Sequence, residues 1–223
     1  MVDSRVGNTH GRSRCLHCRR ARVRRPDIDI AVLASGSGTN LQALIETPTI
    51  RPRIALVVSD RHSAPALERA TDYGIATAVV SWGDYPDRDT FSAALAERIE
   101  TSGAKGVVLA GFMRILAPGF VERFPGRILN IHPSLLPAFP GANAVENALD
   151  HGVTTTGVTV HFVDEQVDHG PIITQVPVKV EPGDTVATLH ARLQIEEHQV
   201  YPRVVEGFVE GRISLDGRRV RWQ

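Results

Sequence analysis

Five short apolar runs, separated by stretches that read as helices, constrain this chain more than any other feature. They occupy residues 28–33, 54–60, 76–80, 106–110 and 128–131. Each is too short for a buried helix and nearly continuous in apolar residues, the mark of a strand covered on both faces. Between them, 41–46, 64–73 and 87–99 read as helices. Pro65 is tolerated near a helix start, and Phe91, Leu95 and Ile99 fall four apart on one face. Strand and helix in alternation predict an α/β fold, a mostly parallel twisted sheet with helices on both faces. Ligands of such sheets bind beyond the carboxyl ends of the strands.

The second half reads differently. Residues 157–164 alternate like a half-buried strand, and 171–180 form another. Asp168-His169-Gly170 between them reads as a turn, so the two runs should pair as an antiparallel extension beside the parallel sheet. Residues 184–208 read as one long helix, with Pro202 as a point for a kink. Residues 212–222, with Asp216-Gly217 at the centre, predict a small C-terminal hairpin.

Charge divides the chain. Residues 1–25 hold eight arginines and a single acid, Asp3, while the other 198 residues keep 17 basic and 24 acidic side chains, a net of −7. The head, 1–27, is too poor in apolar residues to offset the entropy of ordering and is expected to be disordered. It lacks the apolar core of a secretory signal. Cys15 and Cys18, the only cysteines, lie in it without a second pair at metal-finger spacing, so no metal site is expected. An acidic body, 28–223, argues against nucleic acid as a partner. No apolar run approaches the roughly 20 residues of a membrane span. A cytoplasmic domain without disulfides fits these features.

Two motifs carry chemistry. Ser35-Gly36-Ser37-Gly38-Thr39-Asn40 follows a strand and opens a helix, where free N–H groups favour an anion. It lacks the lysine of a nucleoside-triphosphate loop, and Leu41 stands where a dinucleotide fingerprint needs its third glycine. Asp60 sits near the position of a ribose-binding acid, yet a phosphate monoester suits the turn better than a nicotinamide cofactor. The alternative is a plain turn in which Thr39 or Asn40 caps the helix. The second motif is Asn130-Ile131-His132-Pro133. Alternation puts Asn130 and His132 on one side of a strand end. An amide and an imidazolium there are suited to stabilising an oxyanion. Asp168, in the predicted turn, would favour the protonated imidazole if it approached His132.

Residues 107–116 (Val-Val-Leu-Ala-Gly-Phe-Met-Arg-Ile-Leu), 129–137 (Leu-Asn-Ile-His-Pro-Ser-Leu-Leu-Pro), and 160–163 (Val-His-Phe-Val) through 168–171 (Asp-His-Gly-Pro) resemble the phosphoribosylglycinamide formyltransferase family, in order and with matching spacing over about 28–213. The resemblance implies a Rossmann-like formyltransferase fold and formyl transfer from 10-formyltetrahydrofolate, as co-substrate, to the amine of glycinamide ribonucleotide, in purine biosynthesis. It implies Asn130, His132 and Asp168 as catalytic residues, and Gly38, Thr39, Asn40 and Glu197 as contacts to the ribonucleotide. For the folate it implies Arg88, Met113, Arg114, Ile115, Leu116, Asn130, Asp164, Val167 and Asp168. It implies neither metal nor nicotinamide and is compatible with a homodimer. By the residues alone, Arg88 reads as an exposed helix-start arginine and Glu197 as an acid on an acidic helix face. His169 stands where the family usually has glycine or alanine, so this turn should be less free to adopt a left-handed backbone.

Three rivals are weighed. Formyltetrahydrofolate deformylase shares an Asn-His-Asp core, but normally carries a regulatory domain that a 27-residue head does not supply. Formyl transfer to methionyl-tRNA belongs to longer chains with a basic RNA-binding surface. A non-catalytic nucleotide-binding protein would bind both ligands without turnover.

Overall fold

The structure, a computed structural model, describes Met1 and residues 28–223. The arginine-rich head, with Cys15 and Cys18, lies outside the described residues. The five apolar runs become β1 (Ile30–Leu33), β2 (Ile54–Ser59), β3 (Thr77–Val79), β4 (Gly106–Leu109) and β5 (Ile128–His132). They pair in parallel in the order β3-β2-β1-β4-β5. Their apolarity on both faces has a direct cause. In β1, Ile30 and Val32 pack into one core, while Ala31 and Leu33 pack into the other. On the first side lie α1 (Thr39–Glu46), α2 (Pro65–Asp72), α5 (Ala144–His151) and α6 (Val186–Val209); on the second, α3 (Arg88–Thr101) and α4 (Pro118–Arg123).

The expected antiparallel extension is present as β6 (Thr155–Phe162) and β7 (Ile172–Lys179). β6 also pairs antiparallel with β5, so the sheet has seven strands, ending in β7. An edge position accommodates Pro177, which has no N–H for a further ladder. Residues 212–222 form the small hairpin of β8 (Ile213–Asp216) and β9 (Arg219–Trp222). The sequence reading had no helix at α4 or α5. With six and eight residues, both are too short for periodicity to stand out from a loop.

Helix α6 begins at a capping box, Thr185 with Thr188, and runs through Pro202 without a break. Packing compensates for the missing N–H, since Val200, Tyr201, Val204 and Val205 around the proline are all buried. Tyr201 has no exposed surface and its hydroxyl donates to the Leu109 carbonyl at 2.8 Å, tying α6 to the carboxyl end of β4. Burial, reinforced by the Glu197 charge, pushes its phenol well above the usual value, so it stays a donor. Tyr201→Phe would remove this buried hydrogen bond, at a cost of about 1–2 kcal/mol. At about 2–4 °C per kcal/mol for a domain of this size, Tm should fall by about 2–8 °C, as calorimetry would read.

Candidate active site

The order β3-β2-β1-β4-β5 reverses direction between β1 and β4, which makes a crevice at their carboxyl ends. β1 leads into the glycine-rich turn, β4 into the 110–117 loop, and β5 ends on His132. The two sequence motifs and the Met113–Leu116 strip therefore leave three adjacent strands on one edge of the sheet.

Gly38 is the residue that precedes α1, with φ of +71°, and a Cβ there would lie 2.8 Å from Ala66 Cα. Glycine is required by both the backbone and the space. Neither Thr39 nor Asn40 caps the helix, since no side chain caps it at all. Asn40 instead donates from Nδ2 to Glu197 Oε2 at 2.8 Å, and its Oδ1 is buried without a partner. Glu197 is 5% exposed. Glu197, which from the residues alone reads as an acid on an acidic helix face, is instead buried against Asn40. A helix-face pattern does not reveal that α1 and α6 press together here. A cavity of about 460 Å³ opens beside Thr39, Arg69 and His198.

Asn130, His132 and Asp168 meet. Asp168 Oδ2 lies 3.3 Å from His132 Nδ1 and accepts the Gly141 N–H at 2.8 Å, while Oδ1 lies 3.4 Å from Asn130 Nδ2. The other nitrogen of His132, Nε2, faces the Phe139 carbonyl at 2.9 Å. Both ring nitrogens thus face acceptors. Burial pushes the Asp168 carboxyl up. The nearby His161 ring, the hydrogen bond from the Gly141 N–H and the field of His132 outweigh it and hold the carboxyl below its ordinary value.

The left-handed residue of this turn is Asp168, with φ of +51°, rather than His169. Aspartate tolerates that region better than most residues. The expected penalty at His169 therefore does not arise. Its imidazole pairs instead with Asp164 at 2.7 Å.

Sequence reasoning missed His161. It stands opposite Asn130 in the β5–β6 register, with Nε2 at 3.2 Å from Asn130 Nδ2 and 3.7 Å from Asp168 Oδ1, and Nδ1 at 2.8 Å from the Phe162 carbonyl. The signal was a histidine inside an otherwise apolar strand, Val-His-Phe-Val, which carried the resemblance but was given no role.

The residues implied for folate are less tightly grouped. Met113, Ile115 and Val167 are exposed apolar side chains, at 63%, 57% and 51%. Leu116 packs against the second core, and Arg114 turns to Asp60. Asp60, the suggested ribose acid, is thus spoken for by an arginine. Arg88 opens α3, exposed and outside the hydrogen-bonded cluster. A second cavity, about 740 Å³, lies at the amino ends of the strands between Ile28, Lys105, Arg127 and Phe208, away from this chemistry. Among the described residues, no three His, Cys, Asp or Glu side chains converge as a metal site, and no helix is long and apolar enough to cross a membrane.

A doubly wound sheet with an Asn-His-Asp cluster at its carboxyl edge defines a class. The chain belongs to the formyl transferase family, whose sequence model matches residues 28–205. The chain is 42% identical over 203 residues to phosphoribosylglycinamide formyltransferase of Escherichia coli (strain K12), covering 86% of this chain and 96% of that protein. It is 45% identical over 197 residues to the trifunctional purine biosynthetic protein adenosine-3 of Bos taurus, of which it spans only 20%. The crystal structure of glycinamide ribonucleotide transformylase 1 from Symbiobacterium toebii superposes with a TM-score of 0.84 at 50% identity, covering 88% of this chain and 94% of that one.

Proposed function

We propose that this chain transfers the formyl group of 10-formyltetrahydrofolate to the amine of glycinamide ribonucleotide, in cytoplasmic purine biosynthesis. The observation that carries the proposal is the convergence of Asn130, His132 and Asp168 at the carboxyl edge of the sheet, on the strand end next to the loop that bears Met113 and Ile115. The relatives' names and the near-complete coverage of the Escherichia coli protein support the same reading.

In this reading the amine attacks the formyl carbon, and negative charge grows on the formyl oxygen. Asn130 Nδ2 and the His132 imidazolium stabilise that charge. Without substrate, both donors are satisfied internally, on His161 and Asp168 and on Phe139. The proposal requires one N–H of each to turn to the formyl oxygen as substrates enter, a tightening common to catalytic hydrogen bonds. Asp168, ionised, balances the imidazolium and is placed to relay a proton through water from the amine to the departing N10. The backbone N–H groups at Gly38–Asn40 suit the ribonucleotide phosphate. Glu197, held by Asn40, would meet its ribose. Exposed Met113, Ile115 and Val167 offer the apolar surface that a flat pteridine ring needs, with Leu116, Arg114, Arg88 and Asp164 around it.

The deciding assay follows folate absorbance with purified protein and 10-formyltetrahydrofolate, with and without glycinamide ribonucleotide. Tetrahydrofolate that appears only with the ribonucleotide supports the proposal. Release without it makes the chain a deformylase. Binding of both ligands without release sinks the catalytic reading.

The Asp168 carboxyl makes a separate prediction. Its folded value lies below the unfolded one of about 3.9, so its interactions stabilise the fold above about pH 4 and are lost as pH falls below that. The Tm difference between the natural chain and Asp168→Asn should therefore shrink as pH is lowered from 7 to about 3. A difference that stays constant would contradict it.

A further inference from the structure

The loop from Ala110 to Ala117 presents Met113 and Ile115 to solvent, so its backbone needs holding from beneath. Three buried side chains do this. Ser35 Oγ accepts the Met113 N–H at 2.8 Å, and Ser92 Oγ accepts the Ala117 N–H at 3.0 Å. Between them Asp60, which follows β2, takes the Arg114 Nε–H on Oδ2 at 2.6 Å.

Asp60 is the unusual member. Its side chain has no exposed surface, and its Oδ1 is buried without a hydrogen-bond partner. Among the described residues, the other cation near it is Arg61, at 3.9 Å. A buried carboxylate with one close partner is costly to keep in a fold. It takes no part in the Asn130–Asp168 cluster or in the pairing of Asn40 with Glu197. Its one strong contact sets the direction of Arg114, whose guanidinium lies 5.1 Å from the centre of the Trp82 ring. An ion pair on one side and an aromatic face on the other fix the arginine in the middle of the strip.

We propose that Asp60 is a positioning residue for the folate side of the site: by holding Arg114 against Trp82 it fixes the Met113–Leu116 strip on which the co-substrate packs. This rests on the function proposed above. Asp60 touches no reacting atom, so its effect should fall on folate affinity and not on turnover.

Asp60→Ala should raise KM for 10-formyltetrahydrofolate about tenfold, with kcat and KM for glycinamide ribonucleotide within about twofold. Asp60→Asn keeps an oxygen acceptor for Arg114 and should recover most of the loss, which also guards against misfolding of the alanine variant. Because Asp60 acts through Arg114, the double variant Asp60→Ala/Arg114→Ala should be no worse than Arg114→Ala alone. The geometry can be read without turnover. In a Trp222→Phe background, Trp82 emission should shift equally in Asp60→Ala and Arg114→Ala. A natural chain that transfers no formyl group would overturn the functional reading and leave the Trp82 result standing. A natural chain that does transfer it, with folate KM unchanged in Asp60→Ala, with kcat alone reduced, or with additive effects in the double variant, would overturn the role of Asp60. So would Trp82 emission that Asp60→Ala leaves unmoved.

Discussion

His132→Ala is expected to lower kcat about 10²–10³-fold, the usual loss for one oxyanion donor, while KM for each substrate changes little. The argument rests on the two sides of the ring. Asp168 lies 3.3 Å from Nδ1, and a carbonyl oxygen lies 2.9 Å from Nε2. With 5% of its surface exposed, His132 sits where water screens little of the field around it. Alanine removes the imidazole donor and leaves Asp168 with its Gly141 and Asn130 contacts. His132→Asn, which keeps a neutral donor, should fall between the natural chain and alanine. Steady-state kinetics with both substrates saturating would decide, and near-normal turnover in the alanine variant would remove His132 from the mechanism.

Gly170→Ala should have a comparable effect by a different route. A Cβ at Gly170 would sit 1.8 Å from the Phe162 carbonyl oxygen and 2.8 Å from its carbon, both backbone atoms. That oxygen is also the one His161 Nδ1 faces. Phe162 N–H bonds to the Pro171 carbonyl at 2.9 Å, closing the β6–β7 hairpin at this point. The clash cannot be relieved by a side-chain rotation, so the hairpin end must open. Overpacking of this kind typically costs about 1–3 kcal/mol or more. Asp168 is two residues away, and a shift of about 1 Å in a catalytic group can cost about 10²-fold in rate. Both Tm and kcat should drop. Gly119→Ala is the control, since a Cβ there meets nothing within 4 Å. A Gly170→Ala variant with natural Tm and kcat would show that the hairpin end is looser than its packing indicates.

Legibility varied with how local the cause was. The parallel strands could be read because each is buried on both faces, and such burial leaves continuous apolar runs such as Val107-Val108-Leu109. The Asn130–His132 pair could be read because strand period two and Pro133 place both side chains on one edge. Glu197 was misread because its burial comes from α1 packing on α6, and the two are far apart in sequence. His161 was passed over for a related reason. Its partners, Asn130 and Asp168, come from another strand and from a turn, and register between strands is not written in either segment alone.

By itself, the sequence determined the strands, the longer helices, the doubly wound class and the Asn130, His132 and Asp168 candidates, because hydrophobic period and turn residues are local properties of the chain. Only the tertiary structure decided which of those residues share a site. The convergence of Asn130, His132, His161 and Asp168, the Asn40–Glu197 bond and the Asp60–Arg114 pair each join segments brought together by the sheet order and by packing across it. Those distances depend on long-range pairing, and no spacing within a single segment specifies them.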